Sequence, residues 1–198
     1  MDEDARTALM HASYQGNLAV VESLLDHGAE VDEASNKGST ALMWASKQYD
    51  NKEVVELLLD RGAKIDKHDN YGNTALMWAS EGGHEEVVEL LLERGAEVEK
   101  ADNDGNTALM RASAYRGWTN IVELLLEYDA DIDKQDKDGK TTLMLAVGYC
   151  DDDFVDFLIR RGADDIQDKN GNTALMEAVR EDRCNIVERL LHRGVDAD

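Results

Sequence analysis

The tetrapeptide Thr-Ala-Leu-Met begins at Thr7, Thr40, Thr74, Thr107 and Thr173, and a near copy, Thr-Thr-Leu-Met, begins at Thr141. Successive threonines are 33, 34, 33, 34 and 32 residues apart. A period of this length restricts the chain to a stacked array, because each unit exposes an apolar face that only its neighbours cover. The spacing divides the 198 residues into one array of six units, approximately 2–34, 35–68, 69–101, 102–135, 136–167 and 168–198.

The unit from Asp69 to Ala101 shows the local logic most clearly. Thr74 stands where an N-cap belongs, and the short, mostly apolar run behind it predicts a first helix from about Ala75 to Glu81. Gly82 and Gly83 permit a tight turn. In the following HEEVVELLLERG, Val87, Val88, Leu90, Leu91 and Leu92 form a broad apolar face, and Glu85, Glu86, Glu89 and Glu93 are left for water. Acids at its start and Arg94 at its end suit the helix dipole, and Gly95 ends a second, antiparallel helix. The segment AEVEKADNDGNT carries Gly and Asx turn signals and predicts an extended loop or hairpin between units.

These residues resemble the ankyrin repeat family over essentially the whole chain. The family pattern, D-x-x-G-x-T-P-L-H-x-A-A, then G-H, then an apolar helix ending L-L-L-x-x-G-A-D-V-N, is met nearly position by position. Gly38, Gly72, Gly105, Gly139 and Gly171 fill the turn glycine. Gly28, Gly62, Gly95, Gly162 and Gly194 fill the glycine after the second helix, where the fourth unit has Asp129. The resemblance implies an all-α repeat solenoid, an ankyrin array of stacked antiparallel helix pairs joined by β-hairpin-like loops.

Departures from the pattern are informative. The chain has no proline, and the family's Pro is Ala or Thr in every copy. The family's His is Met10, Met43, Met77, Met110, Met144 and Met176, a regular ladder expected in the core. The Asn that often closes a repeat, and is hydroxylated in some members, is replaced by Asp32, Asp66, Glu99 and Asp133, which excludes asparagine hydroxylation there. Units two and four carry an extra residue near Tyr49 and Arg116, and unit five lacks one after Ala163. Such irregularity, with Ala5 in place of the first turn glycine and a final Leu190–Leu191 pair without a polar cap, is the expectation for an evolved sequence with fraying ends.

Composition narrows the function. The 43 acidic and 21 basic side chains leave a net charge of −22, which on average repels nucleic acid. No apolar run approaches the roughly 18 residues of a membrane span. The start, MDEDARTALM, has neither the basic nor the apolar region of a signal peptide, and two cysteines, Cys150 and Cys184, agree with a reducing compartment. Cytoplasm or nucleus is the expected location.

A search for chemistry finds no constellation. His11, His27, His68, His84 and His192 fall at different repeat positions, without metal-ligand spacing. The acidic turns at Asp102, Asp136 and Asp168 resemble the middle of a calcium loop but lack its first ligand and its closing Glu, so they read as turns. Neither a G-x-S-x-G nor a phosphate-binding glycine loop occurs, and the repeated carboxylates belong to repeated solvent faces. No enzyme activity, cofactor or metal is expected.

Binding remains. Ankyrin arrays bind proteins through the loop tips and the exposed face of the first helices, which line a concave groove. Positions that differ between the units there are the candidates for contact with a partner. At the tips these are Lys37, Asn70, Tyr71, Asn103, Asp104, Lys137 and Asp138. On and after the first helices they are Tyr14, Lys47, Gln48, Glu81, Arg111, Tyr115 and Tyr149. The tyrosines are the expected anchors. Trp118 replaces the family's turn histidine and is expected to be packed. Trp44 and Trp78 share a slot with His11, Arg111, Leu145 and Glu177 and are expected between adjacent helix pairs; facing the groove instead, they become hot spots. The expected function is a monomeric, non-catalytic scaffold for a basic protein or basic patch, binding neither nucleic acid nor membrane. The alternative is a structural spacer or self-assembling segment of a larger ankyrin protein.

Overall fold

A computed structural model describes residues 4–48, 51–114 and 117–194. Tyr49 and Arg116, near the two extra residues, lie outside these, as does Tyr115. Among the described residues the chain forms twelve helices. They are α1 (Ala8–Tyr14), α2 (Leu18–Asp26), α3 (Ala41–Ser46), α4 (Lys52–Asp60), α5 (Ala75–Gly82) and α6 (Glu85–Glu93), then α7 (Ala108–Ser113), α8 (Thr119–Glu127), α9 (Thr142–Tyr149), α10 (Asp152–Arg160), α11 (Ala174–Arg180) and α12 (Cys184–His192).

The repeated threonine does the same work each time. In extended backbone, its hydroxyl accepts the N–H three residues on: Thr7 from Met10, Thr40 from Met43, Thr74 from Met77, Thr107 from Met110, Thr141 from Met144 and Thr173 from Met176, at 3.2–3.4 Å. Each bond satisfies one of the orphan donors at the start of a short helix that has little intrinsic stability. The Leu and Met that follow turn inward: Leu42, Met43, Leu76, Met77, Leu109 and Met110 are almost wholly buried. Met176 differs from the core ladder expected of the methionines, being 43% exposed, because no described helix pair stacks beyond α11 and α12.

Odd-numbered helices stack on one another, even-numbered helices stack beside them, and each odd helix packs on the even helix that follows it. The odd helices pack on one another more extensively than the even helices do; together with the tips they are called the inner layer. One continuous core runs between the layers, from Leu9 to Leu190.

Between pairs the chain turns through hairpin-like tips that are hydrogen-bonded to one another. The N–H groups of Asn70, Asn103, Lys137 and Lys169 donate to the carbonyls of Lys37, Tyr71, Asp104 and Asp138 in the preceding tips, at 2.8–3.0 Å. A single antiparallel bridge, Ala101 to Thr107, is the regular β-structure present among the described residues. Four tips are closed by an aspartate, Asp69, Asp102, Asp136 or Asp168, whose carboxylate accepts the N–H groups two and four residues on, and the tip holding Lys37 is closed by Ser35, whose hydroxyl accepts the Ser39 N–H. This occupies the acids that resemble calcium-loop ligands and accounts for them as turn formers. Among the described residues no group of three or more possible metal ligands occurs.

The carboxylates standing where the family has its closing Asn also bridge units. Asp32, Asp66, Glu99 and Asp133 accept the N–H groups of Lys64, Glu97, Asp131 and Asp164, one unit on, at 2.7–3.1 Å. Where the turn glycine or the helix-ending glycine is missing, the backbone still takes left-handed values, φ 55° at Ala5 and 62° at Asp129.

The absence of proline yields a prediction with an internal control. Ala75 is the first residue of α5, Thr74 before it lies at φ −96° and ψ 170°, which suits a residue before proline, and no bond engages the Ala75 N–H. Ala75→Pro is expected to stabilise the protein by about 0.5–1 kcal/mol in chemical denaturation. Ala174 holds the equivalent place, but its N–H donates to Asp165 at 2.6 Å, so Ala174→Pro is expected to destabilise. Equal effects of the two changes would refute this reading of the helix starts.

Candidate functional site

Along the inner layer the tips and first helices line a groove. Its N-terminal stretch holds a pocket of about 210 Å³ formed by Lys37, Ser39, Met43, Trp44, Lys47, Asp69, Tyr71 and Trp78. Trp44 and Trp78 occupy the same position in successive units, on α3 and α5, and both line this pocket. The slot serves both expectations at once: Trp44 packs between helix pairs, against Tyr14 of the preceding one, and both indoles also line the pocket. Trp44 does rest against the core on one side, and both remain partly accessible. The Tyr14 ring meets Trp44 edge-on at 5.5 Å, and the Tyr71 side chain stands at the pocket's rim, 61% exposed. Lys47 Nζ lies 4.0 Å from the Trp78 ring centroid, and the Arg6 guanidinium lies 5.1 Å from that of Trp44.

Further along, the groove is crossed by an ionic bar. Arg111, in the slot after the tryptophans, donates to Glu81 at 2.8 Å, to Asn73 at 2.9 Å and to Asp102 at 2.5 Å. The Asp102 side chain is 2% exposed. Burial alone would raise its pKa, but hydrogen bonds from Arg111 and from the amides of Asn106 and Asp104 outweigh it and hold the carboxyl below the ordinary range. Glu81 and Arg111, two candidate contact residues, thus engage each other and build the floor.

Beyond the bar a second pocket of about 310 Å³ opens between α9 and α11, lined by Met144, Leu145, Gly148 and Tyr149 on one side and by Thr173, Glu177 and Arg180 on the other. Tyr149 is 65% exposed. Arg180 is paired with Glu177.

The remaining candidates divide. Asn70 and Asn103 donate their amides to the carbonyls of Asn36 and Asn70, at 3.0 and 2.9 Å, so their side chains reinforce the tip ladder. Lys37, Asp104, Lys137 and Asp138 project at exposed tips, and Gln48 is partly exposed after α3. Tyr115 is outside the described residues.

One set of variable residues proves to be structural. One residue before each second helix from the second pair onward, or two before it at Cys150, a side chain reaches back to a carbonyl at the end of the first helix of the preceding pair. Asn51 donates to Ser13 at 3.0 Å, His84 Nε2 to Lys47 at 3.1 Å and Trp118 Nε1 to Glu81 at 3.3 Å. Cys150 Sγ reaches Ser113 at 2.9 Å and Arg183 reaches Val147 at 2.6 Å. Five side chains of different chemistry serve carbonyls at the same end of the first helix, six or seven residues after the capping threonine. Burial lowers the His84 pKa, against the raising effect of its bond to Lys47, and pushes the Cys150 thiol up to about 11. Both cysteines are free thiols, Cys150 half-buried and Cys184 exposed.

Charge is unevenly distributed between the layers. The first helices carry two acids, Glu81 and Glu177, each paired with an arginine. Every second helix carries between one and four, among them the exposed Glu53, Glu56, Glu85, Glu86, Glu89 and Glu93. No helix among the described residues is long and apolar enough to cross a membrane.

Comparison with protein families gives a match to the model described as ankyrin repeats (3 copies), over residues 1–69, 50–136 and 114–198. Comparison with curated proteins returns no match.

Proposed function

Since the chain belongs to the ankyrin repeat family, whose repeats are generally protein–protein interaction modules, we propose that it is a non-catalytic scaffold that binds a partner protein in the groove of the inner layer. The observation that carries this reading is the N-terminal pocket, where Trp44, Trp78 and Tyr71 line one depression. Partly exposed large aromatics gathered around a concavity supply what interface hot spots need: wide apolar area, few rotamers to freeze and exclusion of water. Tyr14, Lys37 and Lys47 complete this end; Tyr149 anchors the other, and Gln48, Asp104, Lys137 and Asp138 supply the rim, with Tyr115 a further contact on the ground of its sequence position.

The charge of −22 argues for a partner with a basic face and against nucleic acid or an anionic membrane surface. Acids on the second helices steer such a partner from a distance, while the groove supplies the short-range fit. The chain acts as a monomer of six units with the boundaries read from its period, in the cytoplasm or nucleus.

The test is affinity capture from cell extract at near-physiological salt, followed by titration of the captured protein. A Trp44→Ala, Tyr71→Ala double variant that still melts cooperatively is expected to bind at least about tenfold more weakly, the loss of one modest hot spot. Unchanged affinity would place recognition on another surface.

A further inference from the structure

We propose that the pocket between Trp44, Trp78 and Tyr71 takes an acidic side chain of an extended partner peptide, with its carboxylate between Lys37 and Lys47 and an adjacent apolar side chain on the indoles. This rests on the groove being the binding face, and it assigns to that face a chemistry opposite to the one the net charge suggests.

The polar groups of the pocket are almost all donors. Lys37 and Lys47 both line it, and neither forms an ion pair among the described residues. The Trp44 indole N–H is buried and has no acceptor. The one carboxylate present, Asp69, is 3% exposed and already accepts from the N–H groups of Tyr71 and Asn73 and from the Asn73 amide. Two ammonium groups over an apolar floor fit an anion that brings apolar surface with it.

A cationic occupant is disfavoured by the same geometry. Both indoles already carry one of the chain's own cations, Arg6 on Trp44 and Lys47 on Trp78. An incoming ammonium would have to displace them and sit beside like charge. The acids of the second helices do little here, because they lie across the width of the array, about a helix diameter of roughly 10 Å or more, against a Debye length of about 8 Å at physiological salt. Long-range steering and the local anchor therefore select different parts of the partner: a basic face outside and an acidic residue within.

The experiment is panning of a random dodecapeptide phage library on the whole chain, with each enriched peptide resynthesised with its Asp or Glu changed to Asn or Gln. The expected result is enrichment of peptides with an acid next to an apolar or aromatic residue, and about tenfold weaker binding on loss of the carboxylate. That discrimination should vanish in a Lys37→Met, Lys47→Met variant, in which the side chain at position 47 still covers the Trp78 indole, and persist in Lys47→Arg. Thermal melts of the three proteins separate loss of charge from loss of fold. Peptides that need Trp44 but bind through Lys or Arg, or are indifferent to the amide exchange, would overturn the acidic anchor and leave groove binding standing. If no enriched peptide depends on Trp44, both readings fall.

Discussion

Gly105→Ala is expected to destabilise the protein by at least about 3 kcal/mol, and Gly95→Ala by only about 1–2 kcal/mol. Both glycines hold left-handed backbone, at φ 92° and 86°, so both alanines carry the same conformational strain. They differ in what a Cβ would meet. At Gly95 there is nothing within 4 Å; at Gly105 the Cβ would lie 2.7 Å from the Lys137 backbone nitrogen and 3.0 Å from two backbone carbons of Asp136. Backbone cannot step aside like the end of a side chain, so the tips must part, and the 2.8 Å bond from the Lys137 N–H to Asp104 is lost with them. Denaturant titration of the two variants measures the difference, and faster hydrogen exchange at the Lys137 amide in Gly105→Ala locates it. Equal destabilisation would mean that the tip ladder contributes nothing beyond the glycine conformation.

The second large effect is at the ionic bar. Arg111→Met keeps most of the side chain's length but leaves Asp102 buried without its cation, and is expected to cost about 2–3 kcal/mol at neutral pH. The figure lies below that of a fully buried pair because Arg111 is 24% exposed. Its pH dependence has a definite sign. The folded pKa of Asp102 is depressed, so its contribution is complete above the unfolded value near 3.9 and is lost as pH falls through the folded value. The gap between the parent and Arg111→Met should therefore be full at pH 7 and shrink progressively as pH falls from about 4 towards the depressed folded value, as the carboxylate takes up a proton and no longer needs the guanidinium. Urea titrations of both proteins at pH 7 and pH 3.5 measure it. A gap independent of pH would show that Arg111 acts by packing alone.

The fold was legible because it is said six times. The threonine cap, the inward Leu and Met and the glycine after each second helix are all dictated by local backbone chemistry, and the units repeat them with two exceptions, Asp129 in place of the glycine and the exposed Met176. The groove was only partly legible. Lys37, Lys47 and Tyr71 were chosen because they differ between units, and they do meet in one pocket. Trp44 and Trp78 are ambiguous in the sequence, because two large aromatics in one slot suit a core while the slot's other occupants, Arg111 and Glu177 among them, indicate solvent. Variation also misled in the opposite direction. Asn51, His84, Trp118, Cys150 and Arg183 look unrelated, yet each serves a carbonyl in the preceding unit. Asn70 and Asn103 likewise spend their amides on the neighbouring tip. A stacked array asks for a donor at such a place and is indifferent to its chemistry, so difference between repeats marks recognition only where no backbone group needs a partner.

The central claim, recognition through the inner groove, is tested most directly by hydrogen exchange of the chain with and without its captured partner. The account predicts slowed exchange over the tips and first helices, most strongly across residues 36–48 and 69–82, with the second helices little changed. Protection confined to α2, α4 and α6, with none at Trp44, Tyr71 or Trp78, would contradict it.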